Sequence, residues 1–454
     1  MMSLLKPFEY QVEGAAWLAG RRRGGLHDEM GVGKTATAIL ALDSIRAERG
    51  IIVCPAMLRE NWIREFRRFS SRSDKLRLCK GRTIHDYVAW SRGRYNFLIT
   101  SYEQATNWHP HIMDRGELID AIVCDESHFL KNPDAKRTKA VLGPGLDGVG
   151  GLVGWADAAW NLSGTPIPND PIDIYPFLRF THCMPLGRTA FMKRYFNSRF
   201  STYGSKQTCK EETVAELRAL INNNALRRTK NSIGMQLPPI FMTSMLVDGN
   251  TQHVLDMFRE HPGLEDAVLR AVEQGSLSFI EAQHVATLRR LVGEAKAIPY
   301  AKLLYDELVS GQTDKRVVFG IHRDALEFIR SFLERKGIRC VIVHGGISER
   351  NRVDAVNDFQ NDPECRVFIG NIMAAGTGLT LTAACELDML ESDWTPAGNA
   401  QAIMRIHRIG QERNVRARFI ALADTIDETV IQVVADKVAA IAEIEGQQMH
   451  AAPS

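Results

Sequence analysis

The sequence predicts an α/β protein with two parallel-sheet domains in tandem and a helical insertion between them. Three observations carry that expectation. Short apolar runs alternate with helix-forming stretches in two separate series. A glycine-rich string, DEMGVGKT at 28–35, and an acidic pair, Asp125 and Glu126, fall at the strand ends where such folds bind ligands. A chain of 454 residues has room for about two to three domains.

The first series holds GIIVCP (50–55), YNFLITSY (95–102), LIDAIVCDE (118–126) and AWNLSGT (159–165). It defines a first domain over 1–180. A mostly helical region follows over 181–295, including EETVAELRALINNNALRRTK and FIEAQHVATLRRLVGEAKA. Within it LPPI, at 237–240, breaks the helical pattern and marks a hinge. The second series holds RVVFGIH (316–322), IRCVIVHG (338–345), CRVFIGN (365–371), ELDMLES (386–392) and VRARFIAL (415–422). It defines a second domain over 296–454. That domain ends in an amphipathic helix capped by Thr425 or Asp427, and then a frayed tail. The glycine-rich segment GPGLDGVGG (143–151) reads as a mobile loop or hairpin.

Apolar content of 45% and charged content of 24% are ordinary for a globular protein. Net charge is only +2, so binding to nucleic acid requires local basic patches. Three clusters are candidates: Arg21 to Arg23, Arg64 with Arg67 and Arg68, and Arg227 with Arg228 and Lys230. The alternative for each is a solvated helix face. Eight cysteines without a CxxC pair argue against a zinc module and fit a reducing compartment, with Cys54 and Cys124 as buried thiols. No apolar run approaches the ~18 residues of a membrane span, and the N-terminus lacks an apolar signal core.

The glycine string carries the clearest chemistry. Gly31 and Gly33 let backbone amides approach an anion, Lys34 reaches outer phosphates, and Thr35 offers a hydroxyl to Mg²⁺. The helix-forming stretch after it adds a favourable dipole. The usual pattern opens with Gly or Ala where this chain has Asp28, and the plain alternative is a glycine turn before a surface helix. Asp125 ends an apolar run and is suited to hold Mg²⁺, directly or through water. Glu126 is placed to orient or deprotonate an attacking water, the alternative being an exposed acidic turn.

Ten strings in order resemble the Swi/Snf family of superfamily-two helicase-like ATPases. They are YQVEGAAWL (10–18), DEMGVGKTATAIL (28–40), IIVCPAMLRENWIREF (51–66), LITSYE (98–103), DESHFLKNPDAKRTKA (125–140), LSGTPIPN (162–169), LRRTK (226–230), VHGGISERNR (343–352), AAGTGLTLTAA (374–384) and RIHRIGQ (405–411). The resemblance covers the family's core from end to end. It implies two RecA-like domains, ATP and Mg²⁺ as cofactors, and a DNA-dependent ATPase that translocates on double-stranded DNA. Gln11 would read the adenine edge. Gly31, Val32, Gly33, Lys34, Thr35 and Ala36 would hold the nucleotide, with Thr35 and Asp125 on the metal. Gly376 and Gly378 would approach the nucleotide from the second domain. Ser163, Gly164 and Thr165 would couple nucleotide state to closure. Arg405 and Arg408 would act as arginine fingers, the alternative being a basic amphipathic helix. His128 reads as a coupling or packing residue beside the acidic pair.

The track would be the phosphate backbone of duplex or forked DNA, with Thr100 and Ser101 among its contacts. The annealing-helicase branch, which remodels forks, is the nearest in pattern. The absence of histone-reading strings disfavours nucleosome remodelling. A bare motor of this kind is expected as a monomer without membrane attachment, in a bacterial or virus-infected cytoplasm, or in the nucleus if eukaryotic. A recruiting protein is left open. The chain departs from the family where Ile403 and Met404 replace an acidic pair, and where the glycine-rich segment 143–151 lengthens a link. An RNA or single-strand helicase and an ATP-gated scaffold are the competing functions.

Overall fold

The computed structural model describes residues 5–115, 118–164, 171–201, 204–234, 237–274, 279–372, 379–394, 396–444 and 449–451. The chain divides into two compact units, Met1–Ile233 and Gly234–Ser454.

The first unit is built on seven parallel strands. These are β1 (Arg23–Leu26), β2 (Gly50–Cys54), β3 (Leu78–Gly81), β4 (Phe97–Ser101), β5 (Ile119–Asp125), β6 (Ala156–Leu162) and, after a separate antiparallel hairpin β7 (Phe196–Ser201) and β8 (Gly204–Cys209), β9 (Ala225–Leu226). Their order is β3-β4-β2-β5-β6-β1-β9, and every neighbouring pair is parallel. The central strands read as unbroken apolar runs because both faces are covered. Ile52, Cys54, Ile99, Val123 and Trp160 pack on one face with Leu42, Trp62 and Phe66. Their alternates Ile51, Val53, Leu98, Ile122 and Cys124 pack on the other with Trp90, Trp108, Leu130 and Leu178. Cys54 and Cys124 are the buried thiols the sequence predicts.

The second unit repeats the architecture. Its strands are β10 (Ile240–Val247), β11 (Arg316–Gly320), β12 (Arg339–Val343), β13 (Cys365–Asn371), β14 (Glu386–Met389), β15 (Val415–Leu422) and β16 (Met449–Ala451). Their order is β12-β13-β11-β14-β15-β10-β16, again parallel throughout. The tail expected to fray supplies β16. Thr425 precedes the helix Ile426–Ile444 and accepts from the Asp427 amide, so it is the cap. No described helix is long and apolar enough to cross a membrane.

The region 181–295 holds the expected helices, but strands lie between them. Its early part returns to the first sheet through β9, and the limit at 295 falls inside a continuous helix, Phe279–Val309. Pro299 lies within that helix without ending it; a proline removes one donor, and the neighbouring bonds hold. The glycine-rich segment, expected as a loop or a hairpin, is a loop held by local bonds. Leu146, Leu152 and Val153 are buried, the Gly148 amide donates to Leu142, and Arg23 Nη1 donates to the Asp147 carbonyl at 2.6 Å.

A buried charge network crosses the second sheet. Arg316 contacts Glu307, Glu386 and Asp388 at 3.0, 3.1 and 3.2 Å. Arg418 contacts Asp388 at 2.7 Å and Glu307 at 2.5 Å, and Tyr300 donates to Asp388 at 2.7 Å. Burial alone would raise the Asp388 carboxyl, but the two guanidiniums hold it below the usual carboxylate range. Asp388→Asn is expected to lower unfolding stability by about 3–5 kcal/mol, read as a lower urea midpoint at pH 7, because it leaves buried arginines short of a counter-charge.

Candidate nucleotide site

The phosphate loop runs from the end of β1 into the helix Lys34–Ser44. Gly31 and Gly33 have φ of +86° and +84°, a region that strains other residues. Gly33 is the N-cap and carries no side chain of its own to cap the first turn, Lys34 to Ala36. A Cβ at Gly33 would collide with Gln11 Nε2, so the glutamine side chain lies directly on the loop. Gln11 is 2% exposed, and its Oε1 accepts from the Phe8 amide at 3.0 Å, which fixes the direction of its amide. Tyr10 donates to the Val32 carbonyl at 2.9 Å. Lys34 Nζ donates to the carbonyls of Asp28 and Glu29 at 2.8 and 3.1 Å.

Two neighbours complete the pocket floor. The Ser163 amide donates to Leu26, which carries β6 alongside the loop. A Cβ on Gly164 would stand 2.6 Å from Met30 Cγ and 3.2 Å from Lys34 Nζ, so a larger residue there would displace the Met30 side chain and crowd Lys34. Thr165, Gly376 and Gly378 lie outside the described residues.

Asp125 ends β5 and is 7% exposed. Its Oδ2 accepts from Trp62 Nε1 at 2.8 Å and its Oδ1 from the Glu126 amide at 3.0 Å. Tyr102 donates to the Asp125 carbonyl at 2.7 Å and stacks on Phe129 with centroids 5.4 Å apart. Burial, and then the adjacent Glu126 charge, raise the Asp125 carboxyl to about 7; Trp62 and Lys34 oppose the rise. Glu126 adopts φ +52°, a left-handed turn that re-aims the chain directly after the strand. His128 Nδ1 is 3.3 Å from Glu126 Oε2, which puts His128 beside the acidic pair as the sequence predicts.

Asp28, the departure from the usual loop pattern, has a structural reason. It is 1% exposed and forms an ion pair with Arg228, whose Nε and backbone amide reach Asp28 Oδ1 at 3.1 and 2.9 Å. Glu29 is matched in the same way: Lys230 Nζ lies 3.0 Å from Oε1 and the Lys230 amide 2.8 Å from Oε2. Two of the three residues in that basic cluster are therefore internal, not a nucleic-acid patch. Arg23 is likewise engaged, by the carbonyls of Asp147 and Phe180, while Arg21 lies over the Trp17 ring at 3.7 Å. The hydroxyls of Thr100 and Ser101 also bond locally, to the Gly81 carbonyl and the Gln104 amide, and both residues are buried. Arg64 and Arg68 remain on the outer face of the helix Arg59–Phe69.

In the second unit, the helix Pro396–Ile403 ends before the RIHRIGQ string, so Arg405 and Arg408 occupy a turn and not a basic helix. Arg408 Nη1 donates to the Leu379 carbonyl at 3.0 Å. Gln411 Nε2 pins the turn through the Ala384 and Ile406 carbonyls at 2.8 and 3.1 Å, and His407 Nε2 lies 2.8 Å from the Pro238 carbonyl. Ile403 and Met404 are buried, which accounts for apolar residues where the family pattern is acidic.

These residues fit a magnesium nucleotide. Backbone amides at a helix N-terminus and a lysine suit phosphates. A raised carboxyl beside a second carboxylate is relieved by a divalent cation, and the Asp125 carboxylate and the Thr35 hydroxyl are both hard-oxygen donors of the kind magnesium takes. Among the described residues there is no group of three or more His, Cys, Asp or Glu that could hold a metal ion.

The SNF2-related domain matches residues 10–255, and the helicase conserved C-terminal domain matches 300–410. The chain belongs to the SNF2-related family. Among curated relatives of this SNF2 protein, the Drosophila melanogaster SWI/SNF-related matrix-associated actin-dependent regulator of chromatin subfamily A-like protein 1 is 28% identical, over 95% of this chain and 55% of its own length. The Mus musculus DNA annealing helicase and endonuclease ZRANB3 is 27% identical, over 88% of this chain and 37% of its own. The chain thus spans about half, or less, of these relatives. A solved Sulfolobus solfataricus SWI2/SNF2 ATPase core in complex with dsDNA aligns with 98% of this chain and 96% of its own, at 21% identity and a TM-score of 0.41.

The acidic strand end generates a pH test. The Asp125 carboxyl lies near 7 in the fold against 3.8 ordinarily, so its stabilising share is complete below 3.8 and is lost as pH rises through about 7. Asp125→Asn should therefore narrow the difference in melting temperature between pH 5 and pH 8, measured without metal or nucleotide. An unchanged difference would show that Asp125 ionises normally.

Proposed function

We propose that this SNF2 chain is a DNA-dependent ATPase that translocates along duplex DNA and remodels forked DNA. The observation that supports it best is the convergence of Gln11, the Gly31–Gly33 loop, Lys34 and Gly164 in one place, with the Asp125 carboxyl coupled electrostatically to the Lys34 ammonium. The names of the annealing-helicase relatives support the DNA substrate.

In this reading Gln11 orients the base through its fixed amide. The amides of Val32 to Ala36 and the Lys34 ammonium hold the phosphates. Thr35 and Asp125 hold Mg²⁺, which when bound supplies positive charge to the phosphate oxygens. Trp62 keeps the Asp125 carboxylate aimed and favours its ionised form. Glu126 accepts the proton of the attacking water, and His128 steadies its carboxylate. Arg405 and Arg408 stabilise charge on the outer phosphate, with Gly376 and Gly378 allowing close backbone approach. Hydrolysis then requires both units, which links chemistry to movement on DNA. The exposed arginines of the helix Arg59–Phe69 are the basic surface assigned to the phosphate backbone. A monomer is sufficient for this cycle.

Steady-state ATP hydrolysis at fixed salt tests the reading against duplex DNA, forked DNA, single-stranded DNA and RNA. Duplex or forked DNA should stimulate strongly, and Lys34→Ala should abolish the response. Glu126→Gln should lower kcat by about 10²–10⁴-fold while ATP still binds, because only proton acceptance is lost. Stimulation by RNA or single strands alone would replace the duplex reading. Full activity in Glu126→Gln would remove Glu126 from the chemistry.

A further inference from the structure

We propose that the segment Ala225–Lys230 positions the phosphate loop and responds to the nucleotide in it, with Arg228 and Lys230 as positioning residues. The inference rests on the ATP-binding reading above and adds a regulatory element to the same site.

The geometry begins with the backbone. β9 pairs with β1 at Gly25–Ala225 and Leu26–Leu226, and the pairing continues past both strands. The His27 amide donates to the Leu226 carbonyl at 2.7 Å, and the Glu29 amide to the Arg228 carbonyl at 2.9 Å. The first half of the phosphate loop is thus an extension of a sheet ladder, templated by residues two hundred positions away. Side chains then close the ladder from the other direction. The Arg228 and Lys230 amides donate to the Asp28 and Glu29 carboxylates, and their cationic heads pair with the same two groups.

Asp28 and Glu29 therefore face two ways. Their carboxylates hold Arg228 and Lys230, while their carbonyls hold the Lys34 ammonium. All four charged partners in the two pairs are largely buried, with side-chain exposures of 12% and 1% for Arg228 and Asp28, and 6% and 4% for Lys230 and Glu29. Charges so sequestered have one low-energy arrangement, so a shift of Lys34 toward phosphate is felt at Asp28 and Glu29 and passed to the segment. The segment also presses on the base side of the pocket: the Arg228 head donates to the Tyr10 carbonyl, beside Gln11, and lies 5.3 Å from the Tyr10 ring centre. Reciprocity follows from linkage. If nucleotide tightens this clasp, the clasp raises nucleotide affinity by the same factor. Lys230 lies three residues before the chain leaves the first unit at Ile233, so this is the last stretch of the first unit to carry such a signal.

Hydrogen–deuterium exchange on the full chain tests this, because the two reporting amides are the clasp bonds themselves. Saturating ADP with Mg²⁺ should slow exchange at Arg228 and Lys230 about tenfold, in step with residues 29–36. Protection of 29–36 with no change at 228 and 230 would overturn the clasp while leaving ATP binding intact. No protection at either place would overturn ATP binding itself, and the clasp with it. Lys230→Met should raise the KM for ATP about tenfold with kcat within about threefold, and Lys230→Arg should restore it, since uniform binding is what the clasp supplies. An unchanged KM in a folded Lys230→Met protein would likewise overturn the proposal.

Discussion

The buried pairing of Asp28 and Glu29 with Arg228 and Lys230 is the constraint on which the phosphate loop depends. A loop rich in glycine has many accessible conformations, and holding one of them costs conformational entropy. Here that cost is offset by ladder bonds from β9 and by ion pairs taken out of water. Such pairs add little net stability against apolar substitutes, yet they tolerate few alternative geometries. What they contribute is a defined loop shape, from which the directions of Lys34, Gln11 and Gly164 follow.

The acidic strand end obeys a different logic. Asp125 lies at the mouth of a dry sheet, and its charge is disfavoured by burial and by Glu126. Trp62 and Tyr102 reach it from two different segments and orient it without adding charge. A carboxylate kept in this balance takes on a cation readily and does so in a fixed direction.

Much of this was legible in the chain. The central strands announced themselves because burial on both faces makes a parallel strand read as one apolar run, as IDAIVCD and RVVFG do. The loop and acidic pair were legible because phosphate chemistry demands glycine, lysine and carboxylate at set spacings. The short strands β1, β9 and β16 were not, since two to four residues carry no periodicity. Trp62, Tyr102 and Arg228 were also missed as members of the site. Each looks locally like an ordinary core or surface residue, and only the fold brings it to its partner. Charge clusters misled for the same reason: a run of arginines does not disclose that Arg23 and Arg228 turn inward.

The charge network of the second sheet has a consequence for strand alignment. Parallel strands are joined by long crossovers, so no tight turn dictates their register. In the sheet, Arg316 stands opposite Glu386, and Asp388 opposite Arg418. A slip of one residue would send a strand's charge to the other face, into the apolar layer that holds Val317, Phe319, Leu387 and Phe419. Opposite charges at matched rungs thus act as a key between β11, β14 and β15 that opposes a one-residue slip of any of them.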